Sequence, residues 1–296
     1  MKKAISLGIL ASFFFAFTFI LNRAMDLSGG YWLWSAPLRY LITLPLLAAV
    51  TLIRGRDRLR AVLDAIRADT SGWILWSTVG FGLFYLPLTL GSTFGPSWMT
   101  AACWELTIPA GILLTPLFGR RVPVRQLLAS LVIAAGVFAL QVPNMARGGS
   151  PLALIPILTA AFAYPLGNRM MMRRCPESVD SVGRVFGMTL CSAPFWLVCA
   201  LAALMTGGVP SGGQVLQSFG VALFSGTIAT LLFFHATSIV KDAPRALAAV
   251  EATQCGEVIF TLLGGMLILG DAAPAPVGWL GIALIAGGMI WAGLGA

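Results

Sequence analysis

Charge is scarce in this chain. Charged residues fill 10% of its 296 positions, against roughly 25% in an ordinary soluble domain, and the mean hydropathy is +0.89. That many apolar side chains cannot share one water-surrounded core, so the composition excludes a soluble fold and makes lipid the natural solvent. Histidine occurs once, at His235. A Ser/His pair or a multi-histidine zinc site therefore lacks material, and His235 reads as a structural group near a helix end. There is no H-E-x-x-H, no G-x-S-x-G, no Walker A motif and no pair of intramembrane aspartates, which argues against an enzyme or an ATP-driven machine. The five cysteines, Cys103, Cys175, Cys191, Cys199 and Cys255, are odd in number and form no C-x-x-C. They read as small core residues, not disulfides or metal ligands, and no cofactor is expected. Acids are fewer than bases, 11 against 19, for a net charge of +8. The bases sit in short clusters between apolar runs, so the excess speaks of membrane topology and not of nucleic acid.

What the chain has in plenty is apolar runs. A spanning helix needs about 20 mostly apolar residues, and ten stretches qualify: roughly 3–25, 31–53, 72–92, 96–118, 125–142, 151–172, 182–206, 214–239, 244–269 and 276–295. Gly- and Pro-rich turns such as "GSTFGPS" and "TGGVPSGG" separate them. The expectation is an all-α, polytopic membrane protein of ten transmembrane helices. The first run shows no A-x-A-like cleavage site and reads as an uncleaved helix. With the N-terminus inside, sixteen Lys and Arg fall on the cytoplasmic side and only Arg23 and Arg147 outside. By the positive-inside rule, both termini are then cytoplasmic, in the cell membrane. The longest inner loop, "RGRDRLRAVLDAIRADT", has Leu59, Val62, Leu63 and Ile66 at helical spacing. It reads as an amphipathic helix on the inner leaflet.

Several chemically distinctive positions recur at a near-constant offset. Asn22-Arg23 and Asn168-Arg169 are 146 apart, Arg39 and Arg184 are 145 apart, and Glu105 and Glu251 are 146 apart. "IAAG" from Ile133 echoes "IAGG" from Ile285. The third and eighth spans share no convincing identity. The order of the matches predicts a 5+5 repeat, residues 1–146 and 147–296, in a single transmembrane unit. Five crossings are an odd number, so the halves run in opposite directions, as in many secondary transporters with a midplane site.

The ten-span plan, "LRY" from Leu38, and above all "AVEATQCGEVIFTLLGGMLILGD" from Ala249 resemble the drug/metabolite transporter superfamily and, within it, the putative multidrug resistance efflux transporter family. That resemblance implies a 5+5 exporter in the cytoplasmic membrane, driven by the proton gradient. The four-helix relatives carry their essential glutamate in the first helix. Here that span has no acid before Asp26, so their mechanism does not transfer residue by residue.

Three of the four glutamates, Glu105, Glu251 and Glu257, lie inside spans. A charge at the bilayer centre costs roughly 2.5–3.5 kcal/mol on insertion scales, so such groups face the protein interior or a cavity. Helix rise puts Arg39 and Glu105 each about 12 Å from the outer surface, where they are expected to pair, as are Arg184 and Glu251 in the inner half. A structural role as assembly salt bridges weighs equally for these pairs. Glu257 has Gly111 as its repeat counterpart and no base at matching depth. A buried, unpaired carboxyl is best held neutral, which makes Glu257 the candidate proton acceptor, although Thr253 on its face could satisfy it as a simple core group. Gln254 shares a face with Glu251. Trp104, beside Glu105, and Tyr85 supply aromatic faces for a lipophilic cation. Trp32, Trp34, Trp73 and Trp98 read instead as interface anchors. Pro109, four residues after Glu105, removes the N–H that would bond the Glu105 carbonyl and is expected to leave that oxygen free. The leading expectation is proton-coupled export of small organic compounds, with protons, substrate and the bilayer as partners and the oligomeric state open. An uncoupled exporter of amino acids or similar metabolites is the alternative. A membrane enzyme or a structural protein stands furthest off.

Overall fold

The computed structural model describes residues 1–119, 121–122, 124–146, 154–240 and 243–294. Within them every regular element is helical. Arg120, Arg147, Lys241 and most of the "PNMARGGSP" turn lie outside the described residues.

Among the described residues, eight helices are long and apolar enough to cross a membrane, where the sequence predicts ten spans. Two of the predicted stretches are not among the eight. The fourth is broken in the middle, into α6 (Ser97–Trp104) and α7 (Thr107–Leu113). The sixth, α9 (Leu154–Arg174), is 21 residues long, but Asn168, Arg169 and the Arg173-Arg174 pair make its last turns polar.

The others are α1 (Lys2–Leu27), α2 (Trp32–Ile53), α4 and α5 (Thr70–Ser77 and Leu83–Gly91), α8 (Val124–Ala146), α10 (Ser181–Gly207), α11 and α12 (Gly212–Val221 and Thr230–Ile239), α13 and α14 (Pro244–Ala252 and Cys255–Gly264), and α15 (Pro276–Leu294). A π turn over Thr78–Gly82 joins α4 to α5, and a second over Ala222–Ala229 joins α11 to α12. Shifted by 146, the first falls within the second. Such turns insert a residue into the ladder and often mark functional positions. Here one of them brings Gly80 to the backbone of Gly167 on α9.

The helical breaks have separate causes. In the fourth span, Pro109 cannot donate to the Glu105 carbonyl. That oxygen is not left free, contrary to expectation, because the Ile108 N–H closes a tighter turn on it at 3.0 Å. The ninth span breaks at Thr253-Gln254 without a proline. The Thr253 hydroxyl donates to the Val250 carbonyl at 2.6 Å, and Gly256 packs on Ser12 of α1. Side-chain insertion of this kind is a recognised cause of kinks.

The two echoed glycine motifs meet face to face where α8 lies against α15. A Cβ on Gly136 would stand 2.6 Å from the Gly281 carbonyl and 2.9 Å from Ile285, and one on Gly288 would stand 2.6 Å from Ile133. Small residues allow this approach, and helix association in lipid depends on it. Overpacking costs about 1–3 kcal/mol, so Gly136→Val is expected to lower the thermal midpoint in detergent by several degrees. An unchanged midpoint would show that the helix pair tolerates separation.

The amphipathic helix forms as expected, as α3 (Arg56–Ala68), but its apolar stripe does not face lipid alone. Val62 is buried against Gly183 and Gly187 of α10, and Leu59 and Ile66 pack on the same core. At its end, Asp69 caps α4 through the Gly72 N–H at 3.1 Å and takes Arg174 Nη1 at 2.7 Å. The Arg174 hydrogen bond, then the Gly72 N–H, hold the Asp69 carboxyl below the usual carboxylate range. A depressed native value stabilises the fold above the unfolded value, about 3.9, and the contribution fades as pH falls through the native one. Asp69→Asn is therefore expected to lower the thermal midpoint at neutral pH and to match wild type in acid. An equal gap at both pH values would contradict this.

Of the four tryptophans expected at the interface, three are buried in protein. Trp73 is 1% exposed, Trp34 Nε1 donates to the Gly208 carbonyl at 2.8 Å, and Trp98 Nε1 donates to Ala272 at 3.0 Å. These tryptophans tie helix ends together. His235 is exposed on α12.

Candidate functional site

Where the broken fourth and ninth spans cross α1, α2 and the π turn before α12, the helices part around a cavity of about 610 Å³. That is within the about 300–1,000 Å³ typical of small-molecule sites. Glu105, Trp104, Glu251, Gln254, Glu257 and Arg39 all line it, so the breaks aim the glutamates inward. Glu105 and Glu257 are 3% and 7% exposed. Neither makes a side-chain hydrogen bond among the described residues. Glu251 is exposed, nearer one end of the cavity.

Three expected residues stand elsewhere. Tyr85 is fully buried behind the wall; it accepts a hydrogen bond from Asn22 Nδ2 at 2.8 Å and offers its face to Arg39. Thr253 turns from Glu257 toward Gly8 on α1, because its hydroxyl is engaged by its own helix. Arg184 is not in the lining. Neither expected ion pair forms. Arg39 does not reach Glu105: its guanidinium lies 3.9 Å from the centre of the Tyr85 ring and donates through Nη2 to Ser225 Oγ at 3.4 Å. Arg184 does not bond Glu251. Arg39 lines the same cavity as Glu257, and the two are not in contact.

Several lining residues carry no strong signal in the sequence. Thr18 donates to Ser225 at 2.6 Å, linking α1 to the π turn that holds Arg39. Phe84, Trp104 and Tyr164 form a three-ring wall with centroids 4.8, 4.8 and 5.5 Å apart. Arg169 donates to the Gly111 carbonyl at 2.5 Å. It was visible as half of the repeated Asn-Arg pair, whereas Ser225 was hidden in a span without repeat identity.

Gln126, Arg169, Val185, Glu251 and Gly293 place the cavity toward the end of the bundle that carries most of the bases. At the other end, Asp271 ties the end of the ninth span to α6 and α1. Asp271, its side chain 4% exposed, accepts from the Ser97 N–H and hydroxyl at 2.8 and 2.6 Å and lies 3.9 Å from Arg23 Nε. Arg23 also pairs with Asp26 at 2.5 Å.

Residues 2–295 match the family model described as "Putative multidrug resistance efflux transporter". The chain belongs to that family. It is thus a multi-pass membrane protein of an efflux-transporter family, a membership that suggests transport and not catalysis. A Bacillus subtilis (strain 168) relative, "Uncharacterized protein YjlA", is 45% identical over 97% of this chain and 93% of its own length. A Shouchella clausii relative, "Uncharacterized 42.1 kDa protein in intracellular alkaline protease 3'region", is 43% identical over 86% of this chain and 70% of its own. One crystal structure, 18% identical, covers 99% of this chain and 96% of its own with a TM-score of 0.65, and shows the fold alone.

Proposed function

We propose that this family member is a secondary exporter that exchanges protons for small organic compounds across the cytoplasmic membrane. Its ten spans would form two inverted units, 1–146 and 147–296, with both termini in the cytoplasm. Support for the repeat comes from the π turns at the shared offset, the paired breaks near Glu105 and Thr253, and the reciprocal α8–α15 contact. Support for the orientation comes from the basic residues at one end, by the positive-inside rule. The cavity then faces the cytoplasm, as an exporter waiting for substrate requires.

The observation that carries the proposal is the cavity itself: two carboxyls, Glu105 and Glu257, are buried, unbonded and set on its wall beside aromatic rings. Ionisable groups inside a membrane are expensive and mark proton and substrate pathways. Glu257 is the proton carrier in this reading, Glu105 shares its cavity, and Glu251 and Gln254 guide entry. Trp104 packs against the apolar body of the substrate. Tyr85 and Thr253 act from behind the wall, on Arg39 and the ninth-span break. Arg184 has no direct part.

The test is flux of a fluorescent organic cation in proteoliposomes, with and without an imposed pH gradient. Movement that follows the gradient and collapses with a protonophore is expected. Equal flux regardless of pH would replace this reading with an uncoupled exporter of amino acids or related metabolites, and no flux of any small solute would end the transport reading.

A further inference from the structure

On one stretch of the cavity wall, buried donors outnumber acceptors. Arg39 is 9% exposed and lines the cavity, no carboxylate lies within ion-pair distance of it among the described residues, and its Nη1 has no hydrogen-bond partner. A guanidinium donates and never accepts. What this one has is the face of Tyr85 and a long bond through Nη2 to Ser225 Oγ at 3.4 Å. Thr43, one turn along α2, is buried on the same wall, and its hydroxyl also lacks a partner. It sits against Gly226, where a Cβ would stand 2.7 Å from Thr43 Oγ1, and Gly226 follows Ser225. Ser225 and Thr18 share a single hydrogen bond at 2.6 Å. Whichever hydroxyl donates there, the other keeps its own proton. Arg39, Thr43 and the Thr18–Ser225 pair thus each hold an N–H or O–H that no acceptor takes among the described residues.

Buried polar atoms without partners are uncommon, and a bound water or ion is one usual reason for them. Water brings donors of its own and no charge, so it leaves the guanidinium uncompensated, and a buried charge is costly unless it is paired. An anion only accepts, and it supplies the missing charge. Thr51, Ser77 and Thr261 also have unpartnered hydroxyls, and Arg184 an unpartnered Nε, but none of them lines the cavity. Only on the Arg39 stretch do a fixed cation and spare hydroxyls adjoin on that wall. One guanidinium balances one negative charge, whereas a dianion such as sulfate carries an uncompensated charge into the wall. The donors are buried in the wall itself, which suits a compact ion. We infer that chloride, or another small monovalent inorganic anion, binds between Arg39 Nη1 and the hydroxyls of Thr43 and Ser225. The site goes beyond the export reading and needs neither proton exchange nor any one substrate. With the anion in place, the charge of Arg39 is cancelled on a wall that also carries Glu105 and Glu257.

Chloride itself is the probe. Its binding to the purified full-length protein in detergent is read from broadening of the chlorine NMR line, with gluconate replacing chloride at constant ionic strength. Saturable broadening that bromide competes away is expected, together with a higher thermal midpoint in chloride than in gluconate. Thr43→Val and Ser225→Ala keep the charge of Arg39 and are each expected to weaken binding at least about tenfold, the loss of one hydrogen bond to a charged group. Thr43→Ser, which keeps the hydroxyl, and Arg184→Gln, off the cavity wall, should bind as the wild type does. Arg39→Gln should abolish binding. Absence of saturable broadening in the wild-type protein would overturn the inference whether or not the variants fold. Binding as tight in folded Thr43→Val and Ser225→Ala as in the wild type would overturn it too, by placing the anion elsewhere. Flux of the fluorescent cation under a pH gradient is a separate readout, so the anion site and the export reading fail independently.

Discussion

Glu257→Gln is expected to reduce gradient-driven flux to the level of empty liposomes while leaving a folded protein. The amide has nearly the shape of the carboxyl but cannot take up and release a proton. Because Glu257 makes no hydrogen bond in the described structure, the substitution breaks no protein contact, and the thermal midpoint should stay close to wild type. The contacts of Arg39 with the Tyr85 ring and the Ser225 hydroxyl stay in place. Glu251→Gln, at the exposed end of the cavity, should slow flux and preserve its dependence on pH. If both variants behave alike, the proton does not belong to Glu257 in particular. If Glu257→Gln transports normally under a pH gradient, the proton passes elsewhere.

Asp271→Ala is expected to loosen the end of the cavity that Asp271 ties together. Asp271 reaches from the end of the ninth span to the first N–H of α6 and approaches Arg23. It does for α6 what a capping side chain does for its own helix, and losing a cap costs about 0.5–2 kcal/mol. That energy corresponds to an opening about 2- to 30-fold more frequent. The readout is a cysteine placed at Leu88, a lining residue near that end, in a background with the five native cysteines replaced. An impermeant thiol reagent added to the outer face of oriented membranes should label it faster by that factor in Asp271→Ala. An unchanged or slower rate would mean that packing, and not this carboxylate, holds the end shut.

Much of this arrangement is legible in residue order. Unbroken apolar runs mark most of the spans, and the offset shared by Glu105 and Glu251 anticipates two related broken helices. Pro109 announces the first break. What residue order does not carry is helix rotation and local backbone variation. Arg39 and Glu105 sit at similar depth along their spans, which is what predicts a pair. Their azimuths differ, however, because Tyr85 and Ser225 hold the guanidinium on another side. Ser225 reaches that position through a π turn, which shifts register without any proline to signal it. Thr253 and Glu257 share a face only on an unbroken helix, and the break at Thr253-Gln254 separates them. Trp34 and Trp98 sit at the depth of interface anchors, and their partners, carbonyls of Gly208 and Ala272 far along the chain, become visible only once the bundle is assembled.

The account stands on the exchange of proton and substrate at one cavity, and it is tested most directly by proton release on binding. Purified protein in lightly buffered detergent solution would be mixed with a compound that the gradient drives, with a pH indicator present. Release of protons in proportion to the compound bound, absent in Glu257→Gln, is the predicted result. Saturable binding to the wild-type protein with no proton released would contradict it.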